Sequence, residues 1–455
     1  LDVGDKEGYF SLAEKWFAFC VTWSLCAGVD HHSRIKLDIF LRDIEAQFPP
    51  VGTVYDYFVD GESKDFKLWE DKVPRGWKPP RDAPFFKIIV PTVDTVRNQY
   101  VLRSLVTSTK HTLVVGGTGV GKTVQIMQML DALPSSYSKL IVNFSAATNS
   151  RASQDIIEGA MEKRAKDKMG PVGGKKLVAF VDDLNMPKKD TFGSQPPLEL
   201  LRQWVDYGGW YDRVKQQWRY ILDMQLIAAM GPPGGGRTVI SERFQSRFNL
   251  LNCTFPNESQ LKRIFEAILA PKLAEFDDEI KPLAPALVGA TIRVYETMTE
   301  QFLPTPQKCH YLFNMRDMAK VIQGTLQAEK HFFDTRDGII RLWLHETQRV
   351  FGDRLAVDSD VVKFKAVLDE QISAAFDDLS WKKLLYETPF VQSGPLFVDF
   401  LAEPVSGQEA NPYSEVLDEV KLKNFLDEKL EDYNIEPGFI PMELVLFKDA
   451  IAHIC

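Results

Sequence analysis

Residues 116–123 read GGTGVGKT, with four glycines in six residues followed by Lys122 and Thr123. Gly116, Gly121, Lys122 and Thr123 fit G-x-x-x-x-G-K-[ST], and Gly117, Thr118, Gly119 and Val120 fill the interval. Glycine weakens strands and helices alike, so its crowding here points to a backbone that must curl. In such a loop the backbone N–H groups face inward at phosphate oxygens, and a following helix adds its positive N-terminal end. Lys122 would reach the β- and γ-phosphates of a bound ATP, or the β-phosphate of ADP, and the Thr123 hydroxyl would ligate Mg²⁺. A second stretch, KLVAFVDDLNMP, supplies carboxylates: five apolar residues lead into Asp182 and Asp183. At a strand's end, Asp182 would hold the water shell of Mg²⁺ and Asp183 would polarise an attacking water. Two strand-end aspartates that cap a loop are the plainer reading of the same pair.

The other candidates are single residues. In ring-forming P-loop proteins, the strand between these carboxylates and the last strand ends in a polar side chain. Here LIAAMGPPGGGR puts Met230 and Gly231 at that place. SERFQSRFNLL sets Arg243 and Arg247 just before the last apolar run. An arginine there can project into a neighbouring subunit's nucleotide and offset γ-phosphate charge, or it is a solvated surface residue. YLFNMRDMAKV sets Arg316 at a helix start, where it either folds back over the phosphates or pairs with Asp317. Ile89, Val90 and Pro91 precede the phosphate strand and form either an apolar slot for adenine or ordinary core. The seven histidines have no metal-ligand spacing, so His310 and His345 read as structural or surface residues.

These side chains need a scaffold that brings strand ends together. Five short apolar runs, HTLVVGG, KLIVNFSA, KLVAFVDD, MQLIAAMG and NLLNCTFP, alternate with helical stretches over residues 84–256. Near-continuous apolar runs are how parallel strands buried on both faces read. The alternation predicts an α/β fold, a parallel sheet flanked by helices. Residues 257–357 carry helical spacing throughout and predict a helical small subdomain. Residues 358–437 mix helix with loop, and AEPVSGQEANPYSEV is a turn-rich break. Before the sheet, residues 1–45 look helical, and residues 49–84, rich in Pro, Gly and charge, read as an irregular connector. GGWYDRVKQQWRYI reads as a hairpin packed on the domain, and the lysine-rich EKRAKDKMGPVGGKK as a solvated loop.

Composition narrows the function classes. The 455 residues carry a net charge of −9, against a broad nucleic-acid footprint, which needs a basic surface. The five cysteines form no CxxC pair and read as reduced thiols of a cytosolic compartment. The longest apolar run, WFAFCVTWSLCAGV, is too short to span a bilayer and reads as a buried helix; neither a membrane nor a signal peptide is expected. The first residue is Leu1, and the last residues, LVLFKDAIAHIC, read as an amphipathic helix with Leu444, Phe447, Ile451 and Ile454 on one face. Both ends suggest a segment of a longer polypeptide.

Several long signatures carry a resemblance. VDDLNMPKKDTFGSQPPLELLRQWVDYGGWYDR, AMGPPGGGR, FNMRDMAKVIQG and VFGDRL together resemble the third AAA+ module of a dynein heavy chain of the axonemal class, and the likeness covers most of the chain. It implies the end of the preceding AAA+ module and a connector over residues 1–83, and the AAA+ large α/β subdomain over 84–256. The AAA+ helical small subdomain would follow over 257–357, a helical and loop connector over 358–437, and the truncated start of the next module over 438–455. It implies a ring of six modules in one polypeptide, so the neighbouring AAA+ modules are partners. Intermediate and light chains and microtubules would be reached through other parts of the heavy chain, in the cytoplasm and the axoneme of a cilium or flagellum. In such a ring Arg247 is the arginine finger acting in trans on the preceding module's nucleotide, and Arg316 is the second sensor.

The implied function is ATP or ADP binding that regulates a minus-end-directed microtubule motor in ciliary and flagellar beating, with slow or no hydrolysis of its own. The alternatives are a catalytically active module or, more distantly, a remodelling or clamp-loader-like ATPase outside dynein. Two departures favour regulation. Asp183 stands where active members carry glutamate, one methylene longer, and no polar sensor stands at Met230 or Gly231. Misplacing a reacting group by about 1 Å can cost on the order of 100-fold in rate.

Overall fold

The computed structural model describes residues 6–45, 47–80, 83–376, 379–385, 394–402 and 411–455. The chain divides into two units, Leu1–Gly76 with Pro91–Pro256, and Trp77–Val90 with Asn257–Cys455.

The first unit is built on a five-stranded sheet of β1 (Thr112–Val115), β2 (Tyr137–Asn143), β3 (Lys176–Asp182), β4 (Met224–Met230) and β5 (Asn249–Asn252). The order is β5-β1-β4-β3-β2 and every pairing is parallel. These are the five apolar runs of the sequence. Successive side chains point to opposite faces, and both faces are covered. Val178, Phe180, Ile227 and Ala229 pack with Leu102 and Ile126 on one side. Ala179, Val181, Leu226 and Ala228 pack with Leu198, Leu201 and Trp204 on the other. In register, Ala228 lies opposite Val181 and Met230 opposite Val115, so residues 116, 182 and 231 finish on one edge of the sheet. The carboxyl ends of parallel strands are where α/β sheets hold ligands.

The N-terminal helices, Lys6–Ser24 and His31–Ile44, and the turn between them join the same core through Phe19, Leu41 and Ala27. The first helix buries Ala18, Phe19 and Trp23 while Phe17 stays exposed, so it is buried on one face only. Its neighbours cover the sheet's edge strand: the Arg34 guanidinium donates to Asn252 O at 2.7 Å. The Asn252 side chain donates to Val29 O at 2.8 Å, and Asn252 N to Ala27 O at 2.9 Å.

Two expectations of irregular chain are corrected. Residues 49–84 contain an antiparallel hairpin, Tyr57–Asp60 with Asp65–Leu68. Tyr55, Phe58, Phe66 and Trp69 bury their rings in the core, which outweighs the Pro- and Gly-rich flanks. The lysine-rich stretch is likewise a hairpin, Met161–Ala165 with Lys168–Pro171, not a loop, although residues 163–168 are exposed as expected. It is held because Lys168–Pro171 also pairs with Trp218–Ile221, which in turn pairs with Gly209–Tyr211. The latter pair is the hairpin expected from GGWYDRVKQQWRYI, with Trp210 fully buried.

The second unit is helical. Glu258–Leu273, Leu283–Gln301, Met315–Thr325, Arg336–Phe351 and Asp358–Ala375 share one core, where the Trp343 indole donates to Thr291 Oγ1 at 2.8 Å. Phe397–Val398 and Ser414–Glu415 form a short antiparallel pair. Residues 403–410 of the turn-rich break lie outside the described residues. The final helix is shorter than expected, Lys448–Ile454. Leu444 and Phe447 precede it and are exposed, and of the four expected apolar positions only Ile451 is buried. No helix among the described residues is long and apolar enough to cross a membrane.

Candidate nucleotide site

β1 ends at Val115 and the next helix, Lys122–Asp131, begins after six intervening residues. Gly119 and Gly121 take φ of 84° and 81°, the left-handed region that side chains disfavour. Gly116 is required for a different reason: a Cβ there would stand 2.5 Å from Cys253 O and 3.1 Å from the Val120 side chain. The Lys122 ammonium donates to Gly116 O at 2.8 Å and Gly117 O at 2.7 Å, so it is folded over the loop's own carbonyls. Burial pulls its pKa down, opposed by Cys253, Asp182 and Asp183 and assisted by Arg237.

The Thr123 hydroxyl donates to Asp182 Oδ2 at 2.7 Å. The other carboxylate oxygen accepts Asp183 N–H at 2.9 Å, so both oxygens of Asp182 are oriented. A hydroxyl and a carboxylate oxygen side by side suit a hard cation such as Mg²⁺, which keeps several waters and takes few protein ligands. Among the described residues no group of three or more His, Cys, Asp or Glu side chains could hold a metal. The residues therefore fit Mg²⁺ arriving with phosphate oxygens rather than in a protein cage.

Asp183 is bent away from the strand by a φ of 52°, which aspartate tolerates better than most residues. Its carboxylate is half-exposed, and Arg237 lies 3.9 Å from Oδ1. The sequence reading did not single out Arg237. Its signal was the three consecutive glycines before it, which take φ of 121°, 57° and 86° and turn the chain back sharply.

The remaining candidates fall as follows. Met230 is buried in the sheet's core. Arg247 bonds Asp206 Oδ1 at 2.7 Å and is half-exposed; Arg243 is exposed. In the second unit, Arg316 is exposed on the first turn of its helix. Asp317 does not pair with it: its carboxylate accepts Asn314 N–H at 2.8 Å and pairs with Arg354, the arginine of VFGDRL. Of the three apolar residues considered for adenine, Val90 is buried in the second unit's core, and Ile89 and Pro91 are half-buried. His345 is buried with Nδ1 3.0 Å from Pro395 O, and burial pushes its pKa down to about 3. His310 bonds Arg354 O at 2.9 Å. All five cysteines are free.

Residues 77–256 match the family described as the P-loop containing dynein motor region. Residues 287–386 match an AAA+ lid domain, and residues 4–71 a dynein heavy chain AAA lid domain. Dynein axonemal heavy chain 2 of Mus musculus is 49% identical over 451 residues, 99% of this chain and 10% of that protein. The dynein-1-beta heavy chain of the flagellar inner arm I1 complex of Chlamydomonas reinhardtii is 48% identical over 98% of this chain and 10% of that protein. Dynein axonemal heavy chain 6 of Homo sapiens is 39% identical over 96% of this chain and 10% of its own length. The chain thus spans about a tenth of the length of the curated relatives it matches.

Proposed function

We propose, on the premise that this chain belongs to the axonemal dynein heavy chains, that its P-loop binds ATP or ADP with Mg²⁺ as a regulatory AAA+ module. The observation that carries this reading is the Thr123–Asp182 hydrogen bond of 2.7 Å, beside a lysine folded over the phosphate loop. Lys122 would exchange its two carbonyl partners for phosphate oxygens, and the inward N–H groups would hold the rest. Thr123 and Asp182 would hold Mg²⁺, which would offset phosphate charge when bound. The same two residues would orient that side of the site, and the half-exposed Asp183 would face the attacking water.

The module would be the third of the ring, between neighbouring AAA+ modules of the same heavy chain, working in the axoneme of a cilium or flagellum. Microtubules and accessory chains would be engaged elsewhere in the heavy chain. Hydrolysis here would be slow or absent, because the carboxylate of Asp183 is a methylene short and no polar sensor stands at Met230 or Gly231; the finger arginine would come from the next module. Arg247 would serve the preceding module's nucleotide in the same way, on leaving Asp206. Arg316 would act as the second sensor, and residues 89–91 would line the adenine.

The test is to titrate this chain with ADP and ATP in Mg²⁺ and to measure phosphate release. Binding with almost no turnover is expected, because arginine fingers contribute ~10³–10⁵ in rate in other P-loop enzymes. Robust turnover by this chain alone would favour the second reading, an active ATPase, for which the half-exposed Asp183 carboxylate is the supporting observation.

A further inference from the structure

β4 lies between β1 and β3, so its end stands between the phosphate loop and the aspartate pair. Directly after its last residue, Met230, comes Gly231, which has no side chain to offer. The space is nevertheless filled. A Cβ on Gly231 would meet Arg237 Nε at 2.9 Å, Cδ at 3.1 Å and Cζ at 3.3 Å. The Arg237 side chain occupies the volume that a residue at the strand's end would take.

The approach is held at several points. Gly234 and Arg237 exchange N–H···O hydrogen bonds of 3.1 Å each, closing the glycine turn on itself. The next residue, Thr238, donates both its N–H and its hydroxyl to Asn185 O at 3.0 Å. Gln195 bonds the Thr238 hydroxyl and Pro187 O, each at 2.7 Å. Asn185 in turn donates to Gly231 O at 2.9 Å. The loop is therefore tied to the ends of both β3 and β4. Yet the guanidinium is poorly used. Its distance to Asp183 Oδ1, 3.9 Å, is too long for a hydrogen bond, and its buried Nε has no hydrogen-bond partner among the described residues. A guanidinium on a loop tied this firmly, with its Nε unpaired among the described residues, suits a compact anion, since guanidinium groups bind phosphate oxygens in pairs.

We propose that Arg237 is the residue that distinguishes a nucleoside triphosphate from a diphosphate at this site, by taking the terminal phosphate on its guanidinium. The inference rests on the P-loop reading above. Without a terminal phosphate, Arg237 rests beside Asp183. With one, it shifts to the phosphate oxygens and leaves Asp183 facing water. Gly231 is glycine because any side chain would close the passage through which Arg237 reaches the site.

The test uses fluorescent ADP and ATPγS with Mg²⁺ on this chain, with melting curves as a folding check. Arg237→Ala should weaken ATPγS binding tenfold or more while ADP affinity stays within twofold. Arg237→Lys should recover part of the loss. Gly231→Ala, which displaces the guanidinium without removing it, should reproduce the loss of triphosphate preference. A purely structural role for the loop would weaken both nucleotides equally. That result, or no change in the ratio of the two affinities, overturns the proposal. A wild-type chain that binds neither nucleotide overturns the P-loop reading instead, and this inference with it.

Discussion

β3 and β4 lie side by side and finish at the same edge, yet they equip it in opposite ways. β3 ends in its own chemistry: Asp182 is bonded to Thr123, and Asp183 is turned outward by a left-handed backbone. β4 ends in a buried methionine and a glycine, and its charge arrives from Arg237, six residues on, after a glycine turn. The lesson concerns delivery. A strand fixes a side chain by its own hydrogen-bond ladder, whereas a loop needs a separate set of ties to fix one as well. Here those ties run through Asn185, Gln195 and Thr238.

The largest expected effect tests the loop that both strands serve. Lys122→Ala should weaken Mg²⁺-nucleotide binding by more than tenfold in calorimetry, because charge-assisted hydrogen bonds contribute ~1.5–3 kcal/mol each. Unchanged affinity would take the phosphate site out of the picture. Next is β3's own contribution. Asp182→Asn keeps the shape and removes the charge, and should lower Mg²⁺ affinity by roughly tenfold, the scale typical of groups that orient a metal's shell. A nucleotide affinity that no longer depends on Mg²⁺ would agree; an unaltered Mg²⁺ titration would strip Asp182 of its role.

A smaller effect is expected at the neighbouring carboxylate. Asp183→Glu, read by single-turnover hydrolysis in a full heavy chain whose other P-loop lysines are substituted, should gain less than tenfold. General-base placement can be worth ~10²–10⁴-fold, so a gain of tenfold or more would make this a working ATPase held slow by one methylene. The smallest effect is on the tie itself. Asn185→Ala leaves Gly231 O without its buried donor, at a cost of ~1–3 kcal/mol. The melting temperature should fall by several degrees while ADP affinity stays within twofold. A large loss of ADP binding would mean that β3 and β4 do not equip the edge independently.

What could be read in the sequence follows the same division. All five sheet strands were visible as apolar runs; in β1, β3 and β4 burial on both faces leaves little room for polar residues, while the edge strands β2 and β5 keep a shorter apolar core. The phosphate loop and Asp182 were visible because function there depends on adjacent residues in a fixed order. Arg237 was not, since nothing in GPPGGGR says where the turn points until β3 supplies Asn185. The two hairpins taken for irregular chain failed for a related reason. Lys168–Pro171 owes its strand to Trp218–Ile221, some fifty residues away, and no local pattern announces such a partner. Of the two readings of Arg316, the plainer one, pairing with Asp317, is not what forms: that carboxylate has its partner in Arg354, distant in sequence and near in the fold.

One last consequence concerns the outer strand β5, which among the described residues pairs on one side only, with β1. An unpaired strand edge is a template for adding another chain and so for aggregation. Here Arg34 is bonded to the Asn252 carbonyl, Ala27 O receives the Asn252 N–H, and the Asn252 side chain turns back to Val29. The helical segment that precedes the phosphate-binding sheet therefore works as its hem. Cut along the boundary between residues 1–76 and the sheet, the cloth would have a raw edge of four residues. Such a piece should clump where the intact unit stays single, although its phosphate loop would be untouched.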